Sequence, residues 1–110
     1  MFIQTWKKYL PAIVFLMKRA HKSDQVLNMN HTDFERATGG KKVKFAFISL
    51  QLENGRLNHD SKLSAPANDL KQLLQEDDKA KLLTQNQRFE FSMNSSFQLT
   101  IKNNTPVAEI

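Results

Sequence analysis

Few residues in this sequence have the types and spacing that chemistry requires. Gly39-Gly40-Lys41-Lys42 has the glycines and the cation of a phosphate-binding loop. That motif, however, needs a Gly where Glu35 stands, a Ser or Thr where Lys42 stands, and a strand before the loop rather than after it. The stretch therefore indicates the end of a helix, followed by lysines at the start of a strand.

The three histidines, His21, His31 and His59, do not form a recognisable metal motif. No pair has the i, i+4 helical spacing of a zinc site. The chain has no cysteine, which excludes disulfides, thiolate catalysis and Cys-ligated zinc. His59 is predicted on the apolar face of a hairpin, where burial disfavours its charged form. We interpret it as a hydrogen-bonded structural histidine, with a catalytic or ligand role as the alternative.

The remaining catalytic residue types are not arranged for catalysis. Glu76-Asp77-Asp78 places three acids in a row, and consecutive helical residues point in different directions, whereas acid–base chemistry needs two converging carboxylates. No serine lies in a nucleophile elbow. The sequence therefore predicts no catalytic residue, metal or cofactor, and an enzyme would have to act without a recognisable motif.

Positive charge is concentrated in the first 44 residues. The chain carries a net charge of +5, and its first 44 residues hold nine Lys or Arg against three acids, which gives +6. Such asymmetry is typical either of a solvated surface or of a protein with a polyanionic partner. Phe45 and Phe47 follow the lysine cluster, and single-strand binders stack bases on sheet aromatics beside cations. The candidate anion- or nucleic-acid-binding residues are Lys7, Lys8, Lys18, Arg19, Lys22, Lys41, Lys42 and Lys44.

Two hairpins are predicted. Asn54-Gly55 lies between two apolar runs and favours a two-residue turn. The predicted pairs are Glu53 with Arg56, Leu52 with Leu57, Leu50 with His59, and Ile48 with Ser61. The second hairpin has a three-residue loop at 94–96. It pairs Met93 with Phe97, Phe91 with Leu99, and Phe89 with Ile101, all facing inward.

The helical segments carry start and stop signals. Apolar spacing predicts a helix over 5–22, with its main part beginning at Pro11 because proline cannot donate in a helix interior. Residues 23–30 are predicted as a helical turn or loop that carries Val26, Leu27 and Met29 inward. Thr32 and Glu35 match a capping box, and Gly39 ends that helix. A further helix starts at 64–66 and breaks near 76–78, where Asp77 or Asp78 caps a second one.

These elements predict an α+β fold in one domain over residues 1–102, with a flexible tail over 103–110. Two hairpins give a four-stranded, largely antiparallel sheet with helices packed on one face. Both faces of the first strand are apolar in its first half, which indicates a strand covered on both sides or a bulge near Ile48–Ser49 that reverses the alternation. We predict that this strand lies inside the sheet. The apolar run 9–17 is too short to span a bilayer and is followed by Lys18-Arg19, so we predict no signal peptide, no membrane span and a cytoplasmic location.

The function favoured by the sequence is a small non-enzymatic interaction module that self-associates, most simply as a homodimer. One copy of so small a domain has little material to cover its apolar surplus. The predicted interface residues are Phe15, Val43, Phe45 and Phe47. A nucleic-acid binder that uses the basic N-terminal third is the alternative, and an enzyme is the second alternative.

Overall fold

Four helices and five strands occur in the part of the chain that this computed structural model describes, residues 2–21, 23–39, 48–53, 56–57, 65–85 and 87–105. In chain order they are α1 (Phe2–Arg19), β1 (Gln25–Asn28), α2 (His31–Ala37), β2 (Ile48–Glu53), β3 (Arg56–Leu57), α3 (Ala65–Glu76), α4 (Asp78–Leu83), β4 (Arg88–Met93) and β5 (Gln98–Asn103).

The strands form one antiparallel sheet in the order β1-β5-β4-β2-β3. Its centre consists of the three six-residue strands β5, β4 and β2, and the shorter β1 and β3 lie at the edges. The α+β class and the antiparallel pairing are thus confirmed, and β2 lies inside the sheet as predicted. The count of four strands is not confirmed, because β1 joins the sheet beside the last hairpin.

The β4–β5 hairpin has the predicted inward residues but a different register. Phe91 pairs with Ile101, and Met93 pairs with Leu99, so the pairing is shifted by two residues from the prediction. The loop is Ser95-Ser96-Phe97, closed by hydrogen bonds between Asn94 and Gln98 and from the Phe97 amide to the Asn94 carbonyl. Phe97 has φ 58°, as in a turn followed by a left-handed bulge residue. A shift of two preserves the side-chain phase, so the predicted buried face is confirmed.

Two pairs of the first predicted hairpin are confirmed. Leu52 pairs with Leu57, and Glu53 pairs with Arg56. The partners predicted for Leu50 and Ile48, which are His59 and Ser61, lie outside the described residues. On its other side β2 pairs with β4, and Leu50 lies opposite Phe91.

Helix α1 is continuous through Pro11, which corrects the prediction of a helix that begins there. Proline removes the hydrogen bond to the carbonyl four residues earlier, but Pro11 lies on an exposed part of the helix. The N-terminal half is fixed by tertiary contacts instead. The indole Nε1 of fully buried Trp6 donates to the Pro66 carbonyl at 2.7 Å. Its ring also makes an edge contact with Phe34, at 5.1 Å between centroids.

The segment between α1 and α2 differs from the prediction. Residues 25–28 form the edge strand β1 rather than a helical turn, and Val26 is exposed. Met29 is buried as predicted. The N-cap of α2 is Asn30, whose Oδ1 accepts from the Thr32 amide at 2.9 Å, so the predicted cap at Thr32 is wrong. Pairing of β1 with β5 ends at Asn28, and the last hydrogen bond towards that hairpin comes from the Met29 amide, which leaves Asn30 to begin the helix.

The predicted break between the third and fourth helices is confirmed. Asp77 is the N-cap of α4, and its Oδ1 accepts from the Ala80 amide at 2.9 Å. At the other end of the chain, β5 reaches Asn103. The Asn104 amide then donates to the Arg88 carbonyl, and Thr105 Oγ1 accepts from the Arg88 amide.

The core lies between the helices and the inward face of β4 and β5. Its largest fully buried side chains are Trp6, Ile13, Met17, Phe34, Leu70, Leu74, Phe89, Phe91 and Met93. Of the helical residues in this list, Trp6, Ile13 and Met17 lie in α1, Leu70 and Leu74 lie in α3, and Phe34 lies in α2. Burial of these apolar side chains is the main stabilising term. Among the described helices, none has the length and apolarity needed to cross a membrane.

Candidate interaction surface

The outward face of α1 carries an exposed aromatic side chain beside two cations. Phe15 is 54% exposed. The guanidinium of Arg19 lies over its ring, 5.6 Å from the centroid, a geometry that permits a weak cation–π attraction. Lys18 and Arg19 occupy the last turn of α1, where cations favour the helix dipole. Much of the Phe15 ring therefore remains in water although it belongs to a well-packed helix.

A groove runs along this face, with a volume of about 530 Å³. We call it the α1–α4 groove. On one side it is lined by the α1 residues Leu10, Pro11, Val14, Phe15 and Lys18. On the other side it is lined by Glu76, Asp77, Asp78 and Lys79, where α3 ends and α4 begins. The helix break at Asp77 creates this second side, because it brings three acids to the start of α4.

The groove is apolar on the α1 side and mainly acidic on the other. The Asp77 carboxylate already accepts a hydrogen bond from the Ala80 amide as the N-cap of α4. Glu76, Asp78 and Lys18 form no ion pair or side-chain hydrogen bond with any other residue that the structure describes. Leu82, one turn further along α4, is 66% exposed. The surface thus combines apolar groups with two acids and one cation that have no ion-pair partner among the described residues.

The predicted basic residues do not all contribute to one described patch. Lys7, Lys18 and Arg19 are exposed on α1. Lys8 is exposed too, but its Nζ lies 3.0 Å from Asp33 Oδ2 and is therefore neutralised locally. The other predicted cations, Lys22, Lys41, Lys42 and Lys44, lie outside the described residues. So do the predicted interface residues Val43, Phe45 and Phe47.

A polar network beside Lys8 ties α1 to α2. The Tyr9 hydroxyl donates to Asp33 Oδ2 at 2.6 Å and accepts from the Asn30 amide at 2.9 Å. The hydrogen bond from Tyr9, followed by that from Lys8, lowers the pKa of Asp33. Burial and the hydrogen bond to Asp33 raise the pKa of Tyr9. Every member has a partner, so this network is better suited to fixing two helices than to binding a ligand.

Each of the two described histidines lies beside a polar side chain. His21 Nδ1 lies 3.2 Å from Asn103 Nδ2, in a small polar depression completed by Gln87 and Thr105. His31 Nε2 lies 3.3 Å from Glu35, and its ring contacts Phe97 edge-on. Within the described ranges, no three His, Cys, Asp or Glu side chains converge on a point that could hold a metal ion. His59 lies outside those ranges.

Sequence reasoning singled out Phe15 but missed the groove beside it. Leu10 and Val14 belong to the apolar spacing that predicts the helix over 5–22, and the prediction for Asp77 or Asp78 is a helix cap. Their proximity depends on the packing of α1 against α3 and α4, which neither sequence segment specifies alone. The signal in the sequence was the helix break at Asp77 together with an aromatic residue, Phe15, three and four residues before Lys18 and Arg19. No protein-family model, curated protein or solved structure matches this chain.

Proposed function

We propose that this chain is a small non-enzymatic interaction module that self-associates. The observation that supports it is the exposure of Phe15 beside the apolar side of the α1–α4 groove. A singly exposed aromatic is common on protein surfaces, whereas an aromatic at the lip of an apolar groove is typical of interaction sites. A second copy of the chain is the simplest partner that would cover it, because homodimers are the commonest protein assemblies.

Nucleic-acid binding, the alternative, is less well supported by the described surface. A phosphate-binding face needs cations that are free of neighbouring acids. Lys8 is paired with Asp33, and Lys18 lines the same groove as Glu76 and Asp78. Lys8 and Lys18 are therefore better placed for contact with a surface of mixed charge than for contact with a phosphate backbone.

The test is the mass of the protein in solution as a function of concentration. Sedimentation equilibrium should give a mass approaching twice the 12.7 kDa of the chain as the concentration rises. Phe15→Asp should return the mass to that of the monomer while the circular dichroism spectrum remains that of the wild type. The matched control is Gln4→Asp, which introduces the same charge at an exposed position of the same helix and should leave self-association unchanged.

A wild-type protein that stays monomeric at every concentration contradicts the proposal. In that case, anisotropy of labelled oligonucleotides from low to physiological salt is the next measurement. Binding with a steep dependence on salt would support the nucleic-acid alternative.

A further inference from the structure

We infer that the α1–α4 groove is an isologous interface, in which the α1 side of each copy packs on the acidic side of the other. This inference rests on the proposed self-association and specifies its geometry. A two-fold interface requires one surface that is complementary to itself. The groove meets this requirement because one side provides a protruding ring with a cation and the other provides acids.

The apolar part of the contact comes from Phe15. A two-fold axis through the groove exchanges its two sides, so that α1 of one copy lies over the start of α4 of the other. Phe15 of each copy then reaches the partner's groove, and Leu82, exposed one turn along α4, lies next to this contact. Burial of an aromatic ring in a groove at the centre of the interface is the usual origin of most of the binding energy.

The charged part of the contact comes from Lys18 and Glu76. Both line the groove, and neither has an ion-pair partner among the described residues. The same exchange of sides brings Lys18 of one copy towards Glu76 of the other, and it does so twice in each dimer. Each charge would then gain an opposite neighbour, which favours a second copy over a partner of single charge sign.

Reversing the charge of Lys18 or of Glu76, and then mixing the two variants, tests this geometry. Lys18→Glu alone and Glu76→Lys alone each create two like-charge contacts per dimer, so each should weaken homodimerisation about tenfold at low salt. An equimolar mixture of the two variants should form heterodimers preferentially, because both contacts are attractive in the mixed dimer. The two substitutions barely change the mass of the chain, so one variant is uniformly labelled with 15N. Native mass spectrometry then separates the three dimers by mass.

Two controls keep the result interpretable. Lys7→Glu makes the same charge change on an exposed part of α1 that does not line the groove, and it should leave the dimerisation constant unchanged. The double variant Lys18→Glu with Glu76→Lys should recover most of the wild-type affinity. Glu76 is the last residue of α3, where a lysine suits the helix dipole, so its reversal should not impair folding.

The outcomes separate this inference from the proposed function. A dimer that is lost in Phe15→Asp but is insensitive to both charge reversals, with random mixing of the variants, overturns the two-fold pairing and leaves self-association standing. A wild-type monomer contradicts both. Preferential heterodimers together with an unaffected Lys7→Glu dimer support the isologous groove.

Discussion

Phe97 allows a sharp test of the backbone geometry. Among the described residues other than glycine, Phe97 is the one with a positive φ, 58°. A bulky side chain is unfavourable in that backbone conformation. Its ring packs 5.5 Å from the Phe34 centroid and 4.6 Å from that of His31. Its carbonyl accepts from the Met29 amide at 2.9 Å. These contacts hold the residue in a conformation that the side chain itself disfavours.

Two effects set the change in the free energy of unfolding when Phe97 is replaced: loss of the ring and the backbone preference of the new residue. Removing the buried ring should cost about 3–5 kcal/mol in both Phe97→Ala and Phe97→Gly. A residue with a Cβ pays about 1–2 kcal/mol in the left-handed region, and glycine does not. Glycine also loses about 0.5–1 kcal/mol more conformational entropy on folding than alanine. This loss applies at any position, so it cancels when position 97 is compared with an ordinary strand position. Thr100, which is half-buried in β5 at negative φ, provides that reference.

The assay is urea unfolding followed by circular dichroism for the alanine and glycine variants at both positions. At each position we subtract the free energy of unfolding of the alanine variant from that of the glycine variant. This value should be about 1–2 kcal/mol higher at position 97 than at position 100. Equal differences at the two positions would show that Phe97 carries no backbone strain, and the reasoning would be wrong.

Two further predictions concern α1. Tyr9→Phe should lower the free energy of unfolding by about 1 kcal/mol at neutral pH, because the hydroxyl loses its bonds to Asp33 and Asn30. The pKa of Asp33 is lowered in the folded state, first by the hydrogen bond from Tyr9. The ionised carboxylate therefore adds fully to the free energy of unfolding above the ordinary carboxyl pKa, and this stabilisation is lost as the pH falls through the folded pKa. The stability gap between wild type and Tyr9→Phe should therefore narrow in acid, and a gap that is constant with pH in urea titrations would contradict this role. Pro11→Ala should raise the free energy of unfolding by about 1–3 kcal/mol, because it restores a donor to an exposed helix interior; no change in urea midpoint would show that the carbonyl of Lys7 is already satisfied.

Local signals in the sequence located most element types. The helix break at Asp77 follows from a capping side chain and an interrupted stripe, both of which act within a few residues. The β4–β5 hairpin follows from strict alternation, and its buried face survives a register error of two because side chains repeat every two residues. The exact register depended on Phe97 adopting positive φ, a state that its own chemistry disfavours.

The errors arise where a distant contact overrides a local preference. Pro11 locally favours a helix start, yet Trp6 extends α1 past it by binding the Pro66 carbonyl, 60 residues away in sequence. Residues 25–28 have no strong strand pattern, and they become a strand because β5 offers them a free edge. Such pairings depend on which segments meet after collapse.

By itself the sequence determined the α+β class and the inward face of β4 and β5. These properties follow from the periodicity of side chains and from residue types, which are local. Only the tertiary structure decided that β1 completes the sheet, that α1 runs unbroken, and that Phe15 borders a groove whose other side is acidic. A groove consists of two surfaces, and their juxtaposition is set by packing between α1 and the start of α4, which lie far apart in the sequence.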